Sequence, residues 1–111
     1  MTKSERAAQM WVVLVIAARN RQVLTYDLLA RAAGVPRAAV GGFLGPIQRY
    51  CLSKQLPPLN VLVVSEKTGM PGEGYVAAQD IPQAQADVFA FDWLSHRSPP
   101  PDTFEADDDA K

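Results

Sequence analysis

Side chains able to perform acid–base or nucleophilic chemistry are few in this chain. The sequence contains one histidine, His96, and one cysteine, Cys51. A serine, histidine and acid triad needs a histidine, and His96 lies near the end of the last predicted helix beside Arg97. One cysteine and one histidine do not make a zinc site, and a single cysteine cannot form an intramolecular disulfide. We therefore expect no catalytic site, no metal and no other cofactor.

Two weaker signals for chemistry are Cys51 and the glycines of residues 69–74. The glycines resemble a phosphate loop only loosely, because no Gly-Lys-Ser/Thr follows them, and the tip of a hairpin is the favoured interpretation. A nucleophilic Cys51 would need a lowered thiol pKa. Since Cys51 comes late in its predicted helix, where the helix dipole disfavours a thiolate, we expect a buried core residue. An enzyme with Cys51 as nucleophile is therefore the hypothesis that we favour least.

Basic residues are concentrated in the first half of the chain. Between Lys3 and Lys54, eight Lys or Arg stand against two acidic residues, a net charge of +6. From Pro99 to the C-terminus, one lysine stands against five acidic residues, a net charge of −4, and three prolines accompany them. This composition predicts a folded domain over residues 1–98 and a disordered acidic tail over residues 99–111.

Capping residues predict where several helices begin. Thr2 and Glu5 have the spacing of a capping box, and an apolar stretch typical of a buried helix follows them. Residues 46–54 predict another helix, and Asp80 precedes a last helix that is expected to reach Leu94.

A helix-turn-helix is predicted between these segments. Thr25 caps a short helix over residues 26–33, which Gly34 ends. Pro36 is suited to the first position of a second short helix, and Gly45-Pro46 is expected to break it. Two short helices joined by a glycine turn are typical of a helix-turn-helix.

The segment after the helical half predicts strands. Residues 59–65 are rich in β-branched side chains, and residues 75–77 could pair back on them as a β-hairpin, or wing. The fold class that we expect is α+β, a mainly helical winged helix-turn-helix with a small β-hairpin wing and a C-terminal helix.

Basic residues around a helix-turn-helix and a wing indicate nucleic acid as a ligand. Tyr26 stands in the first turn of its helix, where its ring could contact DNA or could anchor the turn in the core. The following helix has almost no side-chain bulk, although each glycine costs roughly 1 kcal/mol in a helix interior. We expect either a DNA groove or a neighbouring helix of this chain to approach its backbone. The predicted DNA-contacting residues are Thr25, Tyr26, Arg37, Ala38, Ala39, Gly41, Gly42, Arg49 and Lys67.

The run ValLeuThrTyrAspLeuLeuAlaArgAlaAlaGlyValProArgAlaAlaValGlyGlyPheLeu resembles part of a known family. It is similar to the C-terminal winged-helix domain of the O6-alkylguanine-DNA alkyltransferases and the alkyltransferase-like proteins. In that family a Thr/Ser-Tyr opens a helix, a Gly-x-Pro turn follows, and the next helix enters the DNA minor groove. The resemblance covers about 55 residues, from Gln22 to Val76, and implies a winged-helix fold that binds duplex DNA through the second helix.

The family's active-site motif is absent. Pro58-Leu59-Asn60-Val61-Leu62 stands where the family has Pro-Cys-His-Arg or Pro-Trp-His-Arg. The arginine that fills the gap left by a flipped base falls on Val40. The resemblance therefore implies a DNA-binding scaffold without alkyl transfer.

We expect a cytoplasmic, non-catalytic module that binds duplex DNA through the helix after Gly34 and through the wing. The alternative is a protein-interaction module of the same fold, in which the small-residue face receives a protein partner and nucleic acid is not bound. A net charge of −1 for the whole chain favours this alternative. No membrane partner is expected, because the longest apolar stretch, residues 10–18, is half the length of a membrane span.

Overall fold

Helices and a small parallel sheet make up an α+β fold in the computed structural model, which describes residues 2–72, 75, 77 and 79–104. The elements are α1 (Lys3–Arg19), β1 (Leu24–Thr25), α2 (Tyr26–Ala33), a 3-10 turn (Arg37–Ala39), α3 (Val40–Ser53), a second 3-10 turn (Leu59–Leu62), β2 (Val63–Val64) and α4 (Ile81–Ala90).

The core is built around α1. The predicted capping box is confirmed, since the Thr2 hydroxyl accepts the N–H of Glu5 and the Glu5 carboxylate accepts the N–H of Thr2. The helix contacts α2, α3, α4 and the turn Leu59–Leu62. Its buried apolar side chains include Ala7, Met10, Trp11, Leu14, Val15 and Ala18.

The caps predicted for α2 are also confirmed. The Thr25 hydroxyl accepts the N–H of Leu28 at 3.1 Å, and Gly34 takes the left-handed conformation, with φ of 72°, at the C-terminal end. Arg6 of α1 donates to the carbonyl of Ala33 at 2.5 Å, so a cation lies at the negative end of the helix dipole.

The predicted break at Gly45-Pro46 is wrong, because α3 runs through Pro46 without ending. The buried side chains of Val40, Leu44, Ile47 and Cys51 follow one another at helical spacing on both sides of the proline. Proline in a helix interior costs about 3 kcal/mol, and burial of a large apolar side chain contributes about 1.5–3 kcal/mol. Packing of this stripe in the core therefore outweighs the local cost. The start of the helix also differs, since Arg37–Ala39 form a 3-10 turn before it.

The predicted β-hairpin is wrong for the described residues. β2 pairs in parallel with β1, with Leu24 opposite Val63 and Thr25 opposite Val64, and the preceding residues Leu59–Leu62 form a 3-10 turn. All six residues from 59 to 64 are buried, which explains why their run is apolar without alternation. Neither Tyr75 nor Ala77 of the predicted second strand is in a strand, and the residue between them lies outside the described part of the chain.

The last helix begins at its predicted cap, since the Asp80 carboxylate accepts the N–H of Gln83 at 3.1 Å. α4 ends at Ala90 rather than at Leu94. Trp93 is nevertheless buried, and its indole N–H donates to the carbonyl of Val88 at 2.8 Å.

The expectation of a disordered tail from residue 99 onward is wrong for residues 99–104. Residues 101–104 form a helical turn, and Phe104 is fully buried. The ring centroid of Phe104 lies 6.4 Å from that of Trp11 and 6.1 Å from that of Tyr50. One large aromatic residue thus gives this proline-rich, acidic segment a place in the core. Residues 105–111 of the predicted tail lie outside the described residues.

Phe104→Ala should lower the free energy of unfolding by about 3–5 kcal/mol, because it leaves a cavity beside Trp11. The measurement is urea denaturation followed by tryptophan fluorescence. Leu94→Ala is the control, because Leu94 is 68% exposed and its truncation should change stability by less than about 0.5 kcal/mol. Equal stability of the Phe104 variant and the parent would contradict this role for the C-terminal segment.

Candidate nucleic-acid interface

Glu66 joins the first turn of α2 to the 3-10 turn that precedes α3. The parallel register of β1 and β2 brings the residues after β2 next to the first turn of α2. One oxygen of the Glu66 carboxylate accepts the N–H of Asp27 at 3.1 Å, and the other accepts from the guanidinium of Arg37 at 2.7 Å. The carboxylate therefore satisfies an unpaired amide at the positive end of α2 and pairs with the residue that opens the next helix.

Arg37 is engaged by three groups within the protein. In addition to Glu66, its guanidinium lies 3.5 Å from a carboxylate oxygen of Asp27 and 5.4 Å from the ring centroid of Tyr26. The hydrogen bond and charge of Glu66 raise the pKa of Arg37, and the hydrogen bond from Arg37 lowers the pKa of Glu66. The predicted phosphate-binding arginine thus carries acidic neighbours of its own.

Tyr26 is half-buried and fixed at its hydroxyl. The hydroxyl oxygen accepts the N–H of Gly72 at 3.0 Å, and a Cβ atom at residue 72 would overlap it. With Arg37 over its ring, Tyr26 holds the loop of Gly72 against the first turn of α2. Of the two interpretations open for Tyr26, this geometry is that of an anchor.

The first turn of α3 is uncovered within the described residues. Ala38, Gly41 and Gly42 are exposed and Ala39 is half-buried. A Cβ atom built at Gly41 or Gly42 meets no atom within 4 Å. The other explanation for the small size of these residues is close packing against another helix of this chain. Such packing is not observed among the described residues.

The remaining predicted site residues are dispersed. Thr25 serves as the cap of α2. Lys67 is exposed in the turn that also carries Glu66. Arg49 lies about 12 Å further along α3 than Gly41, at 1.5 Å per residue, and its guanidinium is close to Gly45. Tyr26 and Arg37 are thus in contact, and Lys67 follows Glu66, the partner of Arg37, in the chain, whereas Arg49 lies further along α3.

A small cavity lies behind the first turn of α3. Its volume is about 100 Å³, and its wall includes Gly41, Gly45, Asn60 and Tyr75. The side-chain oxygen of Asn60 and the hydroxyl of Tyr75 are buried without a hydrogen-bond partner.

Sequence reasoning missed Glu66, Gly72 and both unpartnered residues of the cavity. Their roles depend on contacts with residues far away in the chain, for which a single sequence carries no local signal.

The two most reactive side chains, those of Cys51 and His96, have structural roles. Cys51 is fully buried, and burial raises the pKa of its thiol to about 11. His96 is hydrogen-bonded through Nε2 to the hydroxyl of Tyr50 at 3.0 Å. No group of three His, Cys, Asp or Glu that could hold a metal ion occurs within residues 2–72, 75, 77 and 79–104. Of the helices described for this chain, none has the length and hydropathy of a membrane-spanning segment.

Comparisons of the chain with protein-family models, curated proteins and solved structures find no match. Any function must therefore be argued from the geometry of these residues.

Glu66→Gln should reduce the loss of stability in acid. Because the pKa of Glu66 is lowered in the folded protein, its carboxylate contributes stability above its ordinary value near 4.5, and this contribution disappears as the pH falls through the folded pKa. The drop in melting temperature between about pH 6 and pH 3 should therefore be smaller in the variant than in the parent. Arg37→Ala removes the main cause of the shift and should have the same effect. Unchanged acid sensitivity in both variants would contradict the contact.

Cys51 should resist alkylation in the folded protein. With a thiol pKa of about 11, the thiolate fraction at pH 8 is about one in a thousand, and burial blocks access to the sulfur. Iodoacetamide labelling followed by mass spectrometry should be at least about 100-fold slower in buffer than in guanidinium chloride. Equal rates in both solvents would revive the hypothesis of a reactive cysteine.

Proposed function

We propose that the protein is a non-catalytic helix-turn-helix module that binds duplex DNA through the first turn of α3. The observation that carries this proposal is the open space at Gly41 and Gly42, whose Cβ positions have no neighbour within 4 Å. Two glycines in a helix cost roughly 1 kcal/mol each relative to alanine. Since no described element of this chain packs on them, a surface from another molecule accounts for their small size.

DNA fits this turn in shape. A helix with almost no side chains on its outer face approaches the sugar–phosphate backbone or a groove more closely than an ordinary helix does. The capped α2, the left-handed Gly34 and the start of α3 give the helix-turn-helix arrangement that presents such a face.

The charges around Arg37 are compatible with phosphate binding. The ion pairs of Arg37 are exposed, and exposed pairs contribute only about 0–1 kcal/mol. A phosphate therefore replaces Glu66 at Arg37 at little cost. Lys67, next to Glu66 in the chain, adds a second cation to the same region.

A protein partner is the second candidate, and a specific observation favours it. Asp27 and Glu66 place two carboxylates beside the single guanidinium of Arg37, which opposes the approach of phosphate. Leu28, which lies beside Asp27 in the first turn of α2, is 51% exposed. Met70, which lies in the same loop as Glu66, is 47% exposed. An apolar and acidic rim of this kind suits a basic protein surface.

Gly42→Ala should affect stability and binding in opposite directions. The methyl group removes a helix-destabilising glycine, so the free energy of unfolding should rise by up to about 1 kcal/mol. The same methyl group holds the partner away from the helix, so duplex affinity should fall about tenfold, and Gly42→Glu should abolish binding. The measurements are thermal denaturation and fluorescence anisotropy with a labelled duplex at two salt concentrations. Leu94→Glu introduces the same charge at a remote exposed position and is the matched control for Gly42→Glu.

Two companion variants separate DNA from a protein partner. Arg37→Ala should reduce the slope of log affinity against log salt by about 1, because one phosphate contact is lost. Glu66→Gln should tighten DNA binding at low salt, because it removes a repelling charge. If the parent binds duplex without salt dependence, or if Gly42→Glu binds as well as the parent, DNA is not the ligand of this turn.

A further inference from the structure

The cavity behind α3 lies where three parts of the chain meet. Tyr26 comes from α2, Gly41 and Leu44 from α3, and Val63 from β2. Gln48, Asn60 and Tyr75 add polar side chains to this wall. Among the described residues that line the cavity, none is Asp, Glu, Lys, Arg or His.

Asn60 and Tyr75 are incompletely satisfied. Asn60 is only 5% exposed, and its amide nitrogen donates to the side chain of Gln48 at 3.2 Å while its oxygen has no partner. The hydroxyl of Tyr75 is buried and also lacks a partner. Buried polar atoms are nearly always hydrogen-bonded in folded proteins, so two orphaned atoms on residues that line one cavity require an explanation. The terminal bond of asparagine has broad rotational preferences, and a small rotation of the amide presents its oxygen to the cavity.

The wall defines the chemistry of an occupant. The uncharged side chains described for the lining favour a neutral molecule, because an unpaired ion would lose its hydration without compensation. Burial raises the pKa of Tyr75, so its hydroxyl stays protonated and can donate. The volume of about 100 Å³ corresponds to about three water molecules and is smaller than a cavity that holds benzene.

We propose that this cavity binds the carboxamide group of a small neutral molecule. The amide N–H of the ligand donates to the oxygen of Asn60, and its carbonyl accepts from the hydroxyl of Tyr75. Its short aliphatic end packs on Leu44 and Val63. The two orphaned atoms do not belong to the exposed surface of α3, whereas Gly41 and Tyr26 border both the cavity and the surface proposed for DNA.

Acetamide is the probe for this site, and a titration monitored by ¹H–¹⁵N NMR is the experiment. Acetamide should shift the amide resonances of Gly41, Asn60 and Val63 in a saturable manner, with a dissociation constant in about the millimolar range. Acetate has the same shape and a negative charge, and it should produce no saturable shift. Linear shifts up to the highest concentration, or equal binding of acetate, would overturn the proposal.

Two variants test the orphaned atoms. Tyr75→Phe and Asn60→Leu should each weaken acetamide binding at least about tenfold, since each removes one hydrogen bond to the ligand. Tyr75→Phe should leave the melting temperature unchanged or higher, because its hydroxyl has no partner in the free protein. Tyr50→Phe, which loses a hydroxyl bonded to His96 outside the cavity, is the matched control and should bind acetamide normally.

The stability of Tyr75→Phe provides a measurement that does not depend on the probe. A marked decrease in its melting temperature would show that the hydroxyl already has a partner, such as a buried water, and would overturn the proposal. Because Tyr75→Phe leaves Gly42 and Arg37 intact, it should bind duplex DNA as the parent does. Failure of the acetamide site and failure of the DNA proposal are therefore separate results.

Discussion

Burial of Trp11 is the constraint on which the rest of the structure depends. Its ring centroid lies 5.3 Å from Tyr50 of α3, 5.7 Å from Trp93 after α4, and 6.4 Å from Phe104, with edge-on or tilted geometries. Aromatic pairs of this kind contribute about 0.5–1.5 kcal/mol each beyond the burial of their surface. Trp11 of α1 thus holds three later segments of the chain against this helix: α3, the residues after α4, and the C-terminal turn.

Local signals in the sequence predicted the beginnings of α1, α2 and α4 correctly, whereas the start and the course of α3 were predicted wrongly. The caps at Thr2, Thr25, Gly34 and Asp80 depend on residues within one turn of each other, so spacing alone identifies them. The passage of α3 through Pro46 depends on the core that surrounds it. The local cost of the proline is evident from the sequence, whereas the packing that offsets this cost is not.

The predictions of the strand pairing and of the C-terminal segment failed for a different reason. A glycine-rich loop after a β-branched run is typical of a hairpin, yet β2 pairs in parallel with β1, which lies about 40 residues earlier. The acidic composition of residues 99–111 predicts disorder, whereas Pro99 and Phe104 are buried within residues 99–104. At the candidate site, the types Tyr26 and Arg37 were identified from sequence. Their partners Glu66 and Gly72 follow from the parallel register, which was not predicted.

The continuous passage of α3 through Pro46 has a consequence for its exposed first turn. Proline has no backbone N–H, so the carbonyl of Gly42 lacks the donor that an ordinary helix supplies four residues later. Fewer backbone hydrogen bonds then hold the turn of Gly41 and Gly42 to the body of α3, and this turn opens at a lower free energy than the buried part around Cys51. A molecule that binds this turn would also hold it against the body of α3. If the proposed contact with DNA forms at this surface, DNA binding and closure of the turn are thermodynamically coupled, and the rigidity of the turn reports on whether DNA is bound.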